Sequence, residues 1–143
     1  MTDNIEMKRV WQDTDFFEIL ITCTSKTISA STEVYLTDAT IDDLYNQIKA
    51  FLQFERSEVL WASGERGNQS TPSVAFRIFM KDSSGHVRIE TFMELNDGGN
   101  LDKHNCCFYV NTEFGMLYNF NIKLPHIKEK VIGKTISLIE YEL

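Results

Sequence analysis

The side chains best suited to chemistry in this sequence are three histidines, His86, His104 and His126, and three cysteines, Cys23, Cys106 and Cys107. Imidazoles and thiolates gathered at tetrahedral spacing would hold a zinc ion, and a Cys–His pair would make a nucleophile. The histidines are far apart in the chain. His86 opens one expected strand and His104 precedes the next, so these two, with Cys106, are the ones placed to approach each other. No third ligand has the spacing of a metal site, and the plain reading is three surface histidines at element ends. Glu90 and Glu94 fall on one face of an expected strand, and with Glu18 across a sheet they would make an acid–base pair. Arg77, Arg88 and Glu90 read more simply as cross-strand ion pairs. No P-loop, dinucleotide fingerprint, zincin motif, nucleophile elbow or calcium loop is present. The sequence therefore predicts no catalytic residue, no cofactor and no metal.

Those residues must be carried by a scaffold, and periodicity describes it. Phe17, Ile19, Ile21 and Cys23 alternate with Glu18, Leu20, Thr22 and Thr24, the period of a strand. After a tight connection at Ser25 and Lys26, residues 28–36 repeat the alternation, giving a hairpin. Ile41, Leu44, Ile48 and Leu52 then switch to helical spacing. Thr40 reads as the N-cap with Asp43 as its capping-box partner, and the helix should end near Phe54 or Glu55. Residues 59–62 read as a short strand and 63–73 as a loop. Val74, Phe76, Ile78 and Met80, the turn Asp82-Ser83-Ser84-Gly85, and Val87, Ile89, Met93 and Leu95 form the clearest hairpin. A polar loop at 96–100 leads to a strand over 105–110. A helix is expected from about Glu113 to Leu124, kinked at Pro125 and stopped at Gly133, with a last strand over 135–141. The order ββαβββαβ predicts one α+β domain over 1–143, an antiparallel sheet of about six strands carrying two helices.

Composition narrows function. Fourteen Lys and Arg against 21 Asp and Glu give a net charge of −7, which argues against nucleic acid, whose nonspecific affinity comes from cations on phosphates, and against an anionic membrane surface. It favours a basic protein partner. An odd cysteine count without C-x-x-C suits a reducing compartment. Residues 1–15 lack the apolar run of a signal peptide, so Asn68-Gln69-Ser70, although a glycosylation sequon, is expected to stay unmodified. The expected location is the cytoplasm.

Two groups stand out as partner-binding candidates. Residues 1–71 hold twelve acids and six bases, whereas 72–143 hold nine and eight. Between Lys26 and Lys49 there is no base, and Glu33, Asp38, Asp42 and Asp43 make an acidic edge. The other group is aromatic: Phe79 and Phe92 share the expected solvent face of the central hairpin with Arg77, Arg88 and Glu90, joined by Tyr109 from the next strand. Aromatics interleaved with arginine resemble an interface core, unless the second helix or the N-terminal segment covers them.

The segments Phe17-Glu18-Ile19-Leu20-Ile21, Ile41-Asp42-Asp43-Leu44 and Gly85-His86-Val87, with a late helix from Glu113, resemble small bacterial immunity proteins of polymorphic toxin systems, including those protecting against cell-wall-associated toxins. The resemblance implies a cytoplasmic, noncatalytic protein that binds and blocks a toxin domain. Many toxin domains are nucleases with basic active sites, which an acidic edge would suit. Two other readings stay open: a small-ligand binding module or enzyme with a pocket between sheet and helices, and a structural subunit that homodimerises through the sheet face.

Overall fold

The computed structural model describes residues 1–64, 71–95 and 104–139. The class is α+β, and it holds two sheets where the sequence pattern gave one. Among the described residues the elements are β1 (Asn4–Gln12), β2 (Phe17–Thr24), β3 (Ser29–Leu36), α1 (Asp38–Leu52), β4 (Glu58–Ala62), β5 (Val74–Met80), β6 (His86–Glu94), β7 (Asn105–Glu113), α2 (Phe114–Lys123), a 3-10 segment (Leu124–Lys128) and β8 (Thr135–Ser137). The eight strands form two antiparallel four-stranded sheets, ordered β3-β2-β1-β8 and β4-β5-β6-β7.

Eight strands stand where about six were expected, and β1 is the one with no counterpart among the expected segments. Its inner face carries Ile5, Met7 and Arg9, all buried, so a guanidinium stands where apolar alternation would place a hydrophobe. The register with β2 then slips between Arg9 and Trp11, from Arg9↔Ile19 to Trp11↔Glu18. Such a bulge adds one residue and re-aims the side chains beyond it. Here it turns Trp11 to the outer face, whereas strict alternation would have put it inside.

Helix α1 begins three residues before the expected start. Its N-cap is Thr37, not Thr40, with Thr37 Oγ1 accepting from the Thr40 N–H at 3.4 Å. It ends at Leu52 with Gln53 as C-cap, and Phe54 leaves the helix in the left-handed region at φ 59°. The helix buries Ile41, Leu44, Ile48 and Phe51, each contributing about 1.5–3 kcal/mol by removal from water. It is fastened to β4 by two bonds: Trp61 Nε1 donates to the Thr40 carbonyl at 3.0 Å, and the Leu60 N–H donates to Gln47 Oε1 at 3.0 Å. Pro125 does break the second helix, which passes into the 3-10 segment. Gly85, at φ 87°, closes the β5–β6 hairpin, where Asp82 Oδ1 accepts from the Ser84 N–H at 2.8 Å.

Both inner sheet faces, both helices and the 3-10 segment contribute to one apolar core. The sheets meet where β1 approaches β7 and β3 approaches β6. Asp3 reaches across, its Oδ2 accepting from the Asn111 N–H on the free edge of β7 at 2.7 Å. The sequon at Asn68, the loop at 96–100 and the end of the expected last strand lie outside the described residues.

Candidate functional site

The side chains first considered for chemistry do not converge. His86 and His104 lie at opposite ends of the β6–β7 ladder, which pairs His86 with Glu113 and Glu94 with Asn105; eight strand residues separate those ends by about 26 Å. His86 Nδ1 is 2.7 Å from Asp82 Oδ2, and His126 Nδ1 is 2.8 Å from Glu129 Oε1. Among the described residues, no group of three or more His, Cys, Asp or Glu is arranged to hold a metal ion. Glu94 is buried and accepts from the Ser73 N–H at 3.0 Å and the Ser73 hydroxyl at 2.6 Å, a structural clasp at the strand end. Glu90 and Glu18 lie on the outer faces of different sheets. Cys23 is buried, and desolvation, then the neighbouring Cys106, pushes its thiol pKa up.

The seven partner-binding candidates divide between separate surfaces. Asp38, Asp42 and Asp43 lie in the first turns of α1, and two of them are engaged within the chain. Asp42 Oδ1 accepts from Lys128 Nζ at 2.6 Å, and Asp43 Oδ2 accepts from Gln47 Nε2 at 3.1 Å. Asp38 borders a hollow shared with Arg9 and Lys130 as well as Asp13 and Asp15.

Glu33 belongs to a different group, on the outer face of the first sheet. The register sets Trp11, Glu18 and Tyr35 in one row and Lys8, Leu20 and Glu33 in the next. Glu18 and Glu33 are therefore diagonal neighbours, close enough to interact. Hydrogen bonding to Glu18, then burial and the Glu18 charge, raise the Glu33 carboxyl above its ordinary 4.5. Hydrogen bonding to Glu18, then its charge, also raises the Tyr35 phenol. Trp11 and Tyr35, from strands on either side of β2, meet edge-on with centroids 6.0 Å apart. They are 44% and 46% exposed, so this is an open aromatic wall beside the neighbouring carboxyls of Glu18 and Glu33.

Phe79, Phe92 and Tyr109 do share a face, as expected, on the outside of the second sheet. Its rows run Glu58–Phe79–Arg88–Asn111, Leu60–Arg77–Glu90–Tyr109 and Ala62–Ala75–Phe92–Cys107. Arg77 Nε donates to Glu58 Oε2 at 2.9 Å, so its closest partner is on β4 and not the Glu90 that faces it in register. Its guanidinium carbon lies 4.4 Å from the Phe79 ring centre, and that of Arg88 lies 4.8 Å from the Tyr109 ring centre. Arg88 Nε also donates to Asn111 Oδ1 at 3.2 Å, and Phe79 and Tyr109 stand edge-on at 6.4 Å. The helices bury their apolar sides in the core behind this sheet. Leu60, at 55%, and Tyr109, at 44%, are the most open of its large apolar side chains. Between Leu60 and Phe92 the small Ala62 and Ala75 leave an open hollow of about 490 Å³, its polar rim formed by Arg77 and Glu90.

Trp11, Glu18 and Tyr35 are the site residues that the sequence did not mark as partner-binding candidates. The available signal was the alternation of Ile5 and Met7 with Glu6 and Lys8, cut short by Arg9 and the bulge. These surfaces define an α+β domain of two antiparallel sheets whose outer faces are chemically distinct, one acidic and aromatic, the other arginine-rich and aromatic. No family model, curated protein or solved structure matches the chain. No helix among the described residues is long and apolar enough to cross a membrane.

Proposed function

We propose that this protein is a noncatalytic binding protein of the immunity type, acting in the cytoplasm, and that it neutralises a toxin domain by covering a basic surface with the outer face of its first sheet. The observation that carries the reading is the cluster of Glu18, Glu33, Trp11 and Tyr35. Glu18 raises the Glu33 carboxyl, by hydrogen bonding first and by its charge last, and a cation set beside the pair would favour the ionised form of Glu33. The two half-open rings add cation–π surface for Lys or Arg. This refines the acidic edge: Glu33 keeps its role, Glu18 joins it, and Asp42, already holding Lys128, contributes little.

The test is stopped-flow association with the domain encoded by the adjacent reading frame. Charge steering makes association fast and salt-sensitive. The double reversal E18K/E33K should slow it by at least about tenfold at low salt, while D42K/D43K should slow it less. If E18K/E33K associates as fast as the parent at every salt concentration, the proposal is wrong.

A further inference from the structure

A different surface carries a second inference, independent of the reading above. The outer face of the second sheet has the composition of a self-complementary interface. Its first two rows hold two acids and two arginines, Glu58 and Glu90 against Arg77 and Arg88. It has no excess charge to repel a copy of itself, whereas the first sheet's outer face concentrates acids.

Pairing with a copy can be worked out from the register. Two identical faces packed together are related by a two-fold axis lying in the interface. An axis parallel to the strands and between β5 and β6 exchanges β5 with β6 and β4 with β7. Arg77 then faces Glu90 of the second copy, and Glu90 faces its Arg77. Phe79 meets Arg88, Leu60 meets Tyr109, and Glu58 meets Asn111, each twice. Every opposition is favourable: ion pair, cation–π, apolar, and carboxylate with amide. Stacked sheets pack at about −30°, which separates outer strands more than inner ones, and the ion pair sits on the two inner strands. The two arginines already lie over aromatic rings within the monomer, so little side-chain ordering remains for association.

The edges of this sheet are less available than its face. Gln47 takes the Leu60 N–H on β4 and Asp3 takes the Asn111 N–H on β7, which blunts strand-to-strand addition. We infer that the outer face of the second sheet is the contact between two copies of this chain, packed face to face about a two-fold axis beside Arg77 and Glu90. Four strands about 4.8 Å apart and three rows about 6.7 Å apart give a footprint of about 400 Å² per copy. That is half the usual share of a stable interface, so the dimer is weak and concentration-dependent.

Analytical ultracentrifugation of the full chain from micromolar to millimolar concentration tests this. The parent should pass from monomer to dimer. R77E and E90R, each alone, oppose like charges across the axis and should weaken dimerisation by at least about tenfold. An equimolar mixture of the two should dimerise again, because each supplies what the other lacks. Tyr109→Arg, at an exposed position, should also weaken the dimer with the circular dichroism spectrum unchanged. A parent that stays monomeric throughout overturns the inference. So does a dimer that R77E, E90R and Y109R leave intact, or a mixture that stays monomeric, or a different protein found to occupy this face.

Discussion

Replacing Arg9 by methionine should destabilise the protein by about 2 kcal/mol, and the reason is local. The guanidinium is buried at 3% exposure on the inner face of β1. Its Nε donates to Gln12 Oε1 at 2.7 Å, its Nη1 donates to the Ile127 carbonyl at 2.9 Å, and its carbon lies 4.1 Å from the Phe17 ring centre. Methionine keeps most of the apolar stem and removes both bonds. Hydrogen bonds from charged donors contribute about 1.5–3 kcal/mol each, and an orphaned buried carbonyl costs about 1–3 kcal/mol. Against this, burial depresses the Arg9 pKa, opposed by the charge of Asp38, so deleting the charge recovers desolvation energy. That recovery can cancel much of the loss for buried ions, which brings the balance to about 2 kcal/mol. For 143 residues the unfolding entropy is about 0.3 kcal/mol/K, so Tm should fall by about 7 °C, measurable by calorimetry. Lysine at this position retains the charge without the planar fork and should be no more stable than methionine. Hydrogen exchange should locate the loss: Arg9 also exchanges backbone bonds with Gly133 and Lys134, so the amides of 133–137 should open first. An R9M protein as stable as the parent would refute the claim that this side chain ties the 3-10 segment to β1.

Two further outcomes follow from ionisable groups. Because the Glu33 pKa is raised in the folded state, its contribution to stability is present in full below its ordinary 4.5 and is lost as pH rises through the folded value; the parent should therefore lose stability relative to E33Q as pH rises above 4.5, and Tm curves that stay parallel would contradict this. Thiol titration of the native chain should modify the exposed Cys107 and spare the buried Cys23, whose thiolate is suppressed by burial; Cys23 labelling without denaturant would contradict the buried position.

The sequence made the second half of the fold easier to read than the first. Val74, Phe76 and Ile78, then Val87 and Ile89, alternate without interruption, and the Asp82–Gly85 turn sits between them, so strand, turn and outer face were all recoverable. The shared face of Phe79, Phe92 and Tyr109 followed from that alternation alone. β1 was hidden because two features broke its period within three residues: a buried arginine held by Gln12, Ile127 and Phe17, and a bulge. Both are tertiary solutions that local patterning does not carry. Without β1 there was no reason to place Trp11 beside Glu18, and the acids of α1 looked freer than they are. Lys128 lies 86 residues from Asp42, a pairing that no periodicity reveals. The approach of His86 to His104 failed for the opposite reason: adjacent strands were read correctly, but antiparallel pairing sends the start of one to the far end of the other.

The uneven charge of the chain acquires a physical sense from the two sheets. The acid-rich first half supplies β1 to β3, and their outer face concentrates Glu18 and Glu33. The nearly balanced second half supplies β5 to β7, and their outer face sets Glu90 between Arg77 and Arg88. An acidic face repels a copy of itself and attracts a basic surface; a balanced face with open aromatics gains more from a copy than from a strongly charged partner. These preferences do not compete, because the faces lie on opposite sides of one core. Packing two second sheets together leaves both first sheets outward, so a dimer presents two acidic faces and should bind two basic domains, each with the affinity of the monomer. On the two proposals above, separate faces with opposite electrostatic requirements would let one small domain associate with itself and with a different protein at the same time.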